Sequence, residues 1–178
     1  LPAPPSPEAY ARRDEYDSIF GCYQAVRACK VPVIAKLEGR VMGFGLALAA
    51  LADVSFAADT ATFNIPEIEH NVMPTMVMSA IYDRMSRNAI LSLAYSADFI
   101  SADEAKTFGI VSNTAAAAKL NEALERFIQI LLSRPRPAIL GLKEYMTNAV
   151  RMDANAATDY ARSLHSIVNT SAGMKKKH

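Results

Sequence analysis

The sequence predicts an α/β domain with strands in its first part and only helices at its end. Three observations carry this expectation. A β-branched run, Val31 to Leu37, leads through a Gly-Phe-Gly turn (Gly43, Phe44, Gly45) into an apolar helical stretch. Two further short runs, "DVSFAAD" and "ATFNI", read as strands. From Lys119 onward three segments are helical: Lys119 to Leu132, Pro137 to Val150, and Asp153 to Val168. The length of 178 residues suits one domain.

In chain order, Ser6 is the expected N-cap of the first helix, with Pro7 at its first position and Glu8 in its first turn. That helix is expected to reach Cys29, with Tyr16, Ile19, Phe20, Tyr23 and Val26 forming one apolar face. The strand Val31–Leu37 follows, then the glycine turn, then a helix from Leu46 to Leu51. "PEIEHNVMP" reads as a loop between Pro66 and Pro74. Thr75 to Met85 and Ala89 to Tyr95 are expected helices. Ser101 and Glu104 have the spacing of a capping box, and Gly109 ends that short helix.

Composition narrows the function classes. Hydrophobic residues make up 51% and charged residues 21%, and the net charge of +1 supplies no basic field for nucleic acid. Lys175, Lys176 and Lys177 are expected to be a solvated tail. The uncharged run Val41–Ala52 has 12 residues, well short of the roughly 20 a membrane-spanning helix needs. "LPAPPSPEAY" lacks the ordered basic and apolar regions of a signal peptide. Cys22 and Cys29 would sit about 10 Å apart along one helix, too far to pair, and two free thiols suit a reducing, cytoplasmic setting.

A strand, a glycine-bearing turn and a helix together present free backbone N–H groups at the positive end of a helix dipole. Such amides stabilise an oxyanion, and here the Phe44 amide would be the donor. The dinucleotide fingerprint fails, because Leu48 stands where its third glycine belongs. No Gly-Lys-Ser/Thr phosphate loop exists, and tight helix–strand packing without a ligand is the competing structural reading.

"PVIAKLEGRVMGFGLALAALADVSFAADTATFNIPEI" resembles the central block of the crotonase family, the enoyl-CoA hydratases and isomerases. "FISADEAKTFGIVSN" resembles a second block of that family, and "RPRPAILGLKEYM" its C-terminal helices. The likeness runs from Val31 to Val168. It implies a crotonase-like fold of ββα repeats with a partial sheet. The expected division is a core over 1–115 and a helical oligomerisation region over 116–178. Family members commonly form trimers or trimer pairs. The family's N-terminal strands, and the loop carrying its first oxyanion amide, have no counterpart in this sequence.

Residue by residue, the resemblance implies that the Phe44 N–H is an oxyanion-hole donor and Glu67 the acid/base. Gly43, Gly45 and Thr75 are the implied substrate contacts. Hydratases of the family carry a second glutamate where this chain has Ala47, so hydration by two glutamates is disfavoured. Dienoyl-CoA isomerases carry an aspartate eight residues past the acid/base; here that position is Thr75, which is expected instead to cap the next helix. His70 is expected to face solvent, and His165 lies on the last helix, where some polyketide-pathway relatives keep a working histidine. The implied activity is double-bond isomerisation on an acyl-CoA thioester, without metal or redox cofactor, CoA arriving with the substrate. The alternatives are a non-catalytic acyl-CoA binder, and a polyketide-pathway dehydratase or decarboxylase on a carrier-protein thioester.

Overall fold

A computed structural model describes residues 8–174. Ser6, Pro7 and the lysine tail lie outside the described residues. The chain runs α1 (Glu8–Ala11), α2 (Asp17–Ala28), β1 (Ile34–Leu37), β2 (Arg40–Met42), α3 (Gly43–Leu51), β3 (Val54–Ala58) and β4 (Thr62–Asn64). A 3-10 turn (Glu67–His70) leads to α4 (Thr75–Ile81), α5 (Arg87–Ser96), β5 (Ile100–Ser101), α6 (Ala102–Thr107) and β6 (Asn113–Ala115). The end is helical: α7 (Leu120–Leu132), α8 (Arg136–Ala149) and α9 (Ala154–Thr170).

The strands make two small sheets. One is parallel, in the order β1-β3-β6; in the other, β2 runs parallel and β5 antiparallel to the central β4. Ser55 and Ser112 lock β3 to the segment entering β6. Each hydroxyl accepts the other's backbone N–H at 3.0 Å, and Ser55 Oγ donates to the Ile110 carbonyl. That exchange satisfies a buried hydroxyl where an unpaired one would be costly.

Helix α3 is made almost wholly of Leu, Ala and Gly, and its Leu46, Ala47, Ala49, Ala50 and Leu51 are all buried. A helix apolar all round belongs inside. It packs between the second sheet and helices α2 and α4, in one continuous core with Phe63, Ile65, Val77 and Ile81. Among the described residues no helix is long and apolar enough to cross a membrane.

Several expectations need correction. The long first helix is broken: Arg12 to Tyr16 forms turns, with Glu15 N–H bonded to the Arg12 carbonyl and Asp17 N–H to that of Asp14. Those five residues are all exposed, so no apolar face rewards a continuous helix there. Gly43, Phe44 and Gly45 are not a turn ahead of the helix; they are its first three residues. Helix α4 stops at Ile81, whose carbonyl accepts the Arg84 and Met85 N–H groups in a turn, and Ser86 then opens α5 by accepting the Ala89 N–H. Thr75 does not cap α4: the cap position is Pro74, and no side chain serves as cap.

Other expectations hold in detail. Ser101 and Glu104 form the full capping box, and Gly109 takes the left-handed conformation at φ +86°. Strands β2, β5 and β6, none expected, are two or three residues long and are defined by their partners rather than by any local alternation.

Candidate active site

Two segments converge on the N-terminus of α3. The first is that terminus itself. Strand β2 delivers the chain, Met42 is extended at the cap position, and Gly43 turns into the helix at φ +47°. The amides of the first turn have no carbonyl one turn back to bond. Phe44 N–H is one of them, and no described turn, loop or side-chain group accepts from it.

The second segment leaves β4 through the buried Ile65 and the half-buried Pro66 into the 3-10 turn that starts at Glu67. Asn71, left-handed at φ 56°, closes this turn, and Val72 N–H bonds the Glu67 carbonyl at 3.0 Å. The turn aims the Glu67 side chain back at α3. A Cβ placed on Gly43 would stand 2.6 Å from Glu67 Oε1, so the carboxylate rests directly against the glycine's Cα. Its other oxygen, Oε2, is buried and has no hydrogen-bond partner. A carboxylate oxygen without a donor keeps its acceptor capacity open to a ligand.

A cavity of about 50 Å³ opens beside this carboxylate, walled by Tyr23, Phe44, Met73, Met76 and Val77 among others. The Phe44 ring stacks on Tyr23, centroids 5.4 Å apart and planes 26° apart. The Tyr23 phenol is pushed up to about 12, first by burial, then by the nearby Glu67 charge and by Cys22. Met73 and Pro74 also form a wall of a larger apolar groove of about 530 Å³, which continues over Ile68, Met78, Leu91 and Tyr95.

The structure thus brings together Gly43, Phe44 and Glu67. Gly45 sits in the same helical turn, with open space where a side chain would project. Thr75 is exposed at the start of α4 and is not part of the cavity wall. Ala47 is fully buried inside α3. His70 is exposed on the 3-10 turn, and His165, exposed on α9, pairs with Asn169 on its own helix. Sequence reasoning places Tyr23 on an apolar helix face and gives it no further part. The available signal is a hydroxyl on that face, which a purely packing position does not need.

Comparison with known proteins follows the same lines. The family model described as "Enoyl-CoA hydratase/isomerase" matches residues 8–177. A curated hydrolase of Mycobacterium tuberculosis, (7aS)-7a-methyl-1,5-dioxo-2,3,5,6,7,7a-hexahydro-1H-indene-carboxyl-CoA hydrolase, is 30% identical over 133 residues, which is 72% of this chain and 52% of the relative. Carnitinyl-CoA dehydratase of Escherichia coli (strain K12) is 30% identical over 133 residues, 74% of this chain and 51% of the relative. The chain therefore spans about half the length of the curated relatives it matches. Among solved structures, an enoyl-CoA hydratase of Mycobacterium smegmatis superposes with a TM-score of 0.87 at 23% identity, covering 98% of this chain and 67% of the other. That likeness establishes the fold.

Proposed function

Since this chain belongs to the enoyl-CoA hydratase/isomerase family, we propose that it acts on an acyl-CoA thioester and moves a carbon–carbon double bond with one carboxylate. The observation that carries this reading is the Glu67 carboxylate, one oxygen unpartnered, seated against the first turn of α3, where the Phe44 amide has no carbonyl one turn back. The thioester carbonyl accepts from that N–H. Glu67 removes a proton from the carbon next to the carbonyl, or from the γ-carbon of the conjugated isomer. The electron pair flows into the carbonyl to give an enolate, which the amide stabilises. Glu67 then returns the proton at the other end of the three-carbon unit, so the double bond shifts and no atom is gained or lost.

Isomerisation is favoured over hydration because addition of water calls for a second group to orient it. Position 47 offers only a buried methyl. The names of the two curated relatives, a carboxyl-CoA hydrolase and a carnitinyl-CoA dehydratase, support a CoA-linked substrate class. The apolar groove beyond Met73 is the proposed place for the acyl chain. Gly43 and Gly45 let the substrate approach the helix backbone. Thr75, exposed at the start of α4, is left with no more than an outer contact.

The division into a core (1–115) and a helical oligomerisation region (116–178) belongs to the same proposal. Leu132, Leu142, Met146 and Ile167 are exposed on α7, α8 and α9, and they supply an apolar face for a homotrimer or a pair of trimers. Light scattering of the purified protein tests this. Free Cys22 and Cys29 support a cytoplasmic setting.

The catalytic reading is tested by turnover of a 3-enoyl-CoA and a 2-enoyl-CoA series by the protein and by Glu67→Gln. Isomerisation of the 3-enoyl series, lowered by a factor of about 10² to 10⁴ in the variant, is the expected result. Binding of CoA without turnover of any thioester would instead identify a non-catalytic acyl-CoA binder. Faster turnover of carrier-protein thioesters would move the substrate class.

A further inference from the structure

Besides Glu67, the wall of the small cavity holds one polar side chain, Tyr23; the other six lining residues are apolar. Tyr23 is 3% exposed, its ring is fixed by the stack on Phe44, and α2 carries it against both α3 and α4. Glu67 Oε2 is buried without a hydrogen-bond partner, and Tyr23 is the one residue in the same cavity wall whose side chain carries a donor. Buried polar groups are ordinarily paired. Here a buried acceptor without a partner shares with one phenol a cavity of about 50 Å³, room for about one small polar group.

From this juxtaposition we propose that Tyr23 is a positioning residue for the Glu67 carboxylate, its O–H reaching Oε2 through the one small polar group that the cavity admits. The inference rests on reading Glu67 as the acid/base. It deepens that reading by naming what holds the carboxylate once substrate is bound. Glu67 Oε1 is set by contact with Gly43, and the phenol sets the other oxygen. The phenol retains its proton throughout the neutral range, since burial, the Glu67 charge and Cys22 on its own helix all act to keep it. Among the residues that wall the cavity, Glu67 is the sole charged group facing it.

Tyr23→Phe keeps the ring and its stack and deletes only the O–H. The expected result is a fall in kcat of about tenfold or more on the 3-enoyl-CoA that the unmodified protein isomerises best, with KM within about twofold. A second readout does not depend on turnover. A fluorinated tyrosine placed at position 23 brings phenol ionisation into a range where the chain stays folded, and ¹⁹F NMR follows it. Glu67→Gln is expected to lower that titration midpoint by about one pH unit. The inference is overturned by a midpoint that Glu67→Gln leaves in place, or by full kcat in Tyr23→Phe. An enzyme inert on every thioester whose position-23 titration still responds to residue 67 would sink the catalytic reading while the pairing stands.

Discussion

The carboxylate of Glu67 stands where residue 43 would carry a side chain, and Gly43 is left-handed at φ +47°. Two independent reasons therefore demand glycine there. Gly43→Ala incurs roughly 1–2 kcal/mol from the left-handed backbone, and its methyl displaces Oε1. Displacement by about 1 Å at a reacting group can cost about 10² in rate. Gly45 is the contrast. It has helical backbone and no atom within 4 Å of the place a methyl would take, so Gly45→Ala should gain about 0.4–1 kcal/mol. Thermal unfolding and turnover of the two variants check the pair. Equal changes in stability would mean that the carboxylate does not occupy the position seen.

Phe44 separates side chain from backbone. Phe44→Ala removes a stack with Tyr23 worth about 0.5–1.5 kcal/mol, yet keeps the amide. If the amide alone polarises the carbonyl, kcat should hold within a few-fold while the preferred acyl group changes, because the ring walls the cavity. Comparing kcat and KM across acyl chain lengths decides it. A collapse of kcat on every substrate would show that the ring itself holds the catalytic geometry.

The candidate site was legible in the sequence where local chemistry defines it, and obscure where distance in sequence does. Gly43, Phe44 and Gly45 announce a special backbone, and the "IPEI" block singles out Glu67. Helix propensity alone could not show that the glycines lie inside α3, because first-turn residues need no intrahelical donor bond. The break at Arg12–Tyr16 was missed because charged residues are good helix formers individually, whereas burial decides whether the helix persists. Strands β2, β5 and β6 exist only through partners up to 57 residues away, Phe56 pairing with Asn113 for example. Tyr23 was invisible as a site residue for the same reason: its neighbour Glu67 arrives from another part of the chain.

Lys143 fastens the helical end to the sheet. Its Nζ lies 2.6 Å from Asp53 Oδ2 and donates to the Val31 carbonyl at 2.8 Å, while the same Asp53 oxygen accepts the Val33 N–H. The lysine side chain is 10% exposed, so Lys143→Met leaves a carboxylate and a carbonyl short of a donor. A loss of about 1–3 kcal/mol follows. Opening the exposed Lys36–Glu38 pair by Lys36→Met should cost about 0.5 kcal/mol or less. Urea midpoints compare the two. Equal losses would show that α8 docks by apolar contact alone.

Tyr23 makes the fold sensitive to alkali. Its folded phenol is raised to about 12, against about 10 when unfolded. Between those values the unfolded chain has released a proton that the folded chain keeps. The contribution is therefore complete below about pH 10 and falls away toward about pH 12. Tyr23→Phe lacks this group and should lose less stability from pH 9 to 11, read by denaturant unfolding. Parallel curves for the two proteins would place the phenol in an ordinary environment.

At the acid end the pair Arg27–Asp83 governs. Arg27 Nη1 and Nη2 donate to the two oxygens of Asp83 at 2.7 and 2.6 Å, and Nη2 also reaches the Ala80 carbonyl, which ties α2 to the end of α4. The hydrogen bond from Arg27, opposed by burial and then assisted by the guanidinium charge, holds the Asp83 carboxyl below its ordinary value. A depressed folded value means that the contribution is present above the unfolded value of about 3.9 and is lost as pH falls through the folded one. Asp83→Asn should thus be less stable than the parent at pH 7, and the gap should narrow below about pH 4 as the parent's carboxylate is protonated. Both side chains are about one-fifth exposed, so solvent screening limits the effect to about 1 kcal/mol. Urea midpoints from pH 7 to pH 2 test it. Because α2 also carries Tyr23 into the cavity, the same variant should loosen the stack on Phe44, which near-ultraviolet circular dichroism would register at neutral pH.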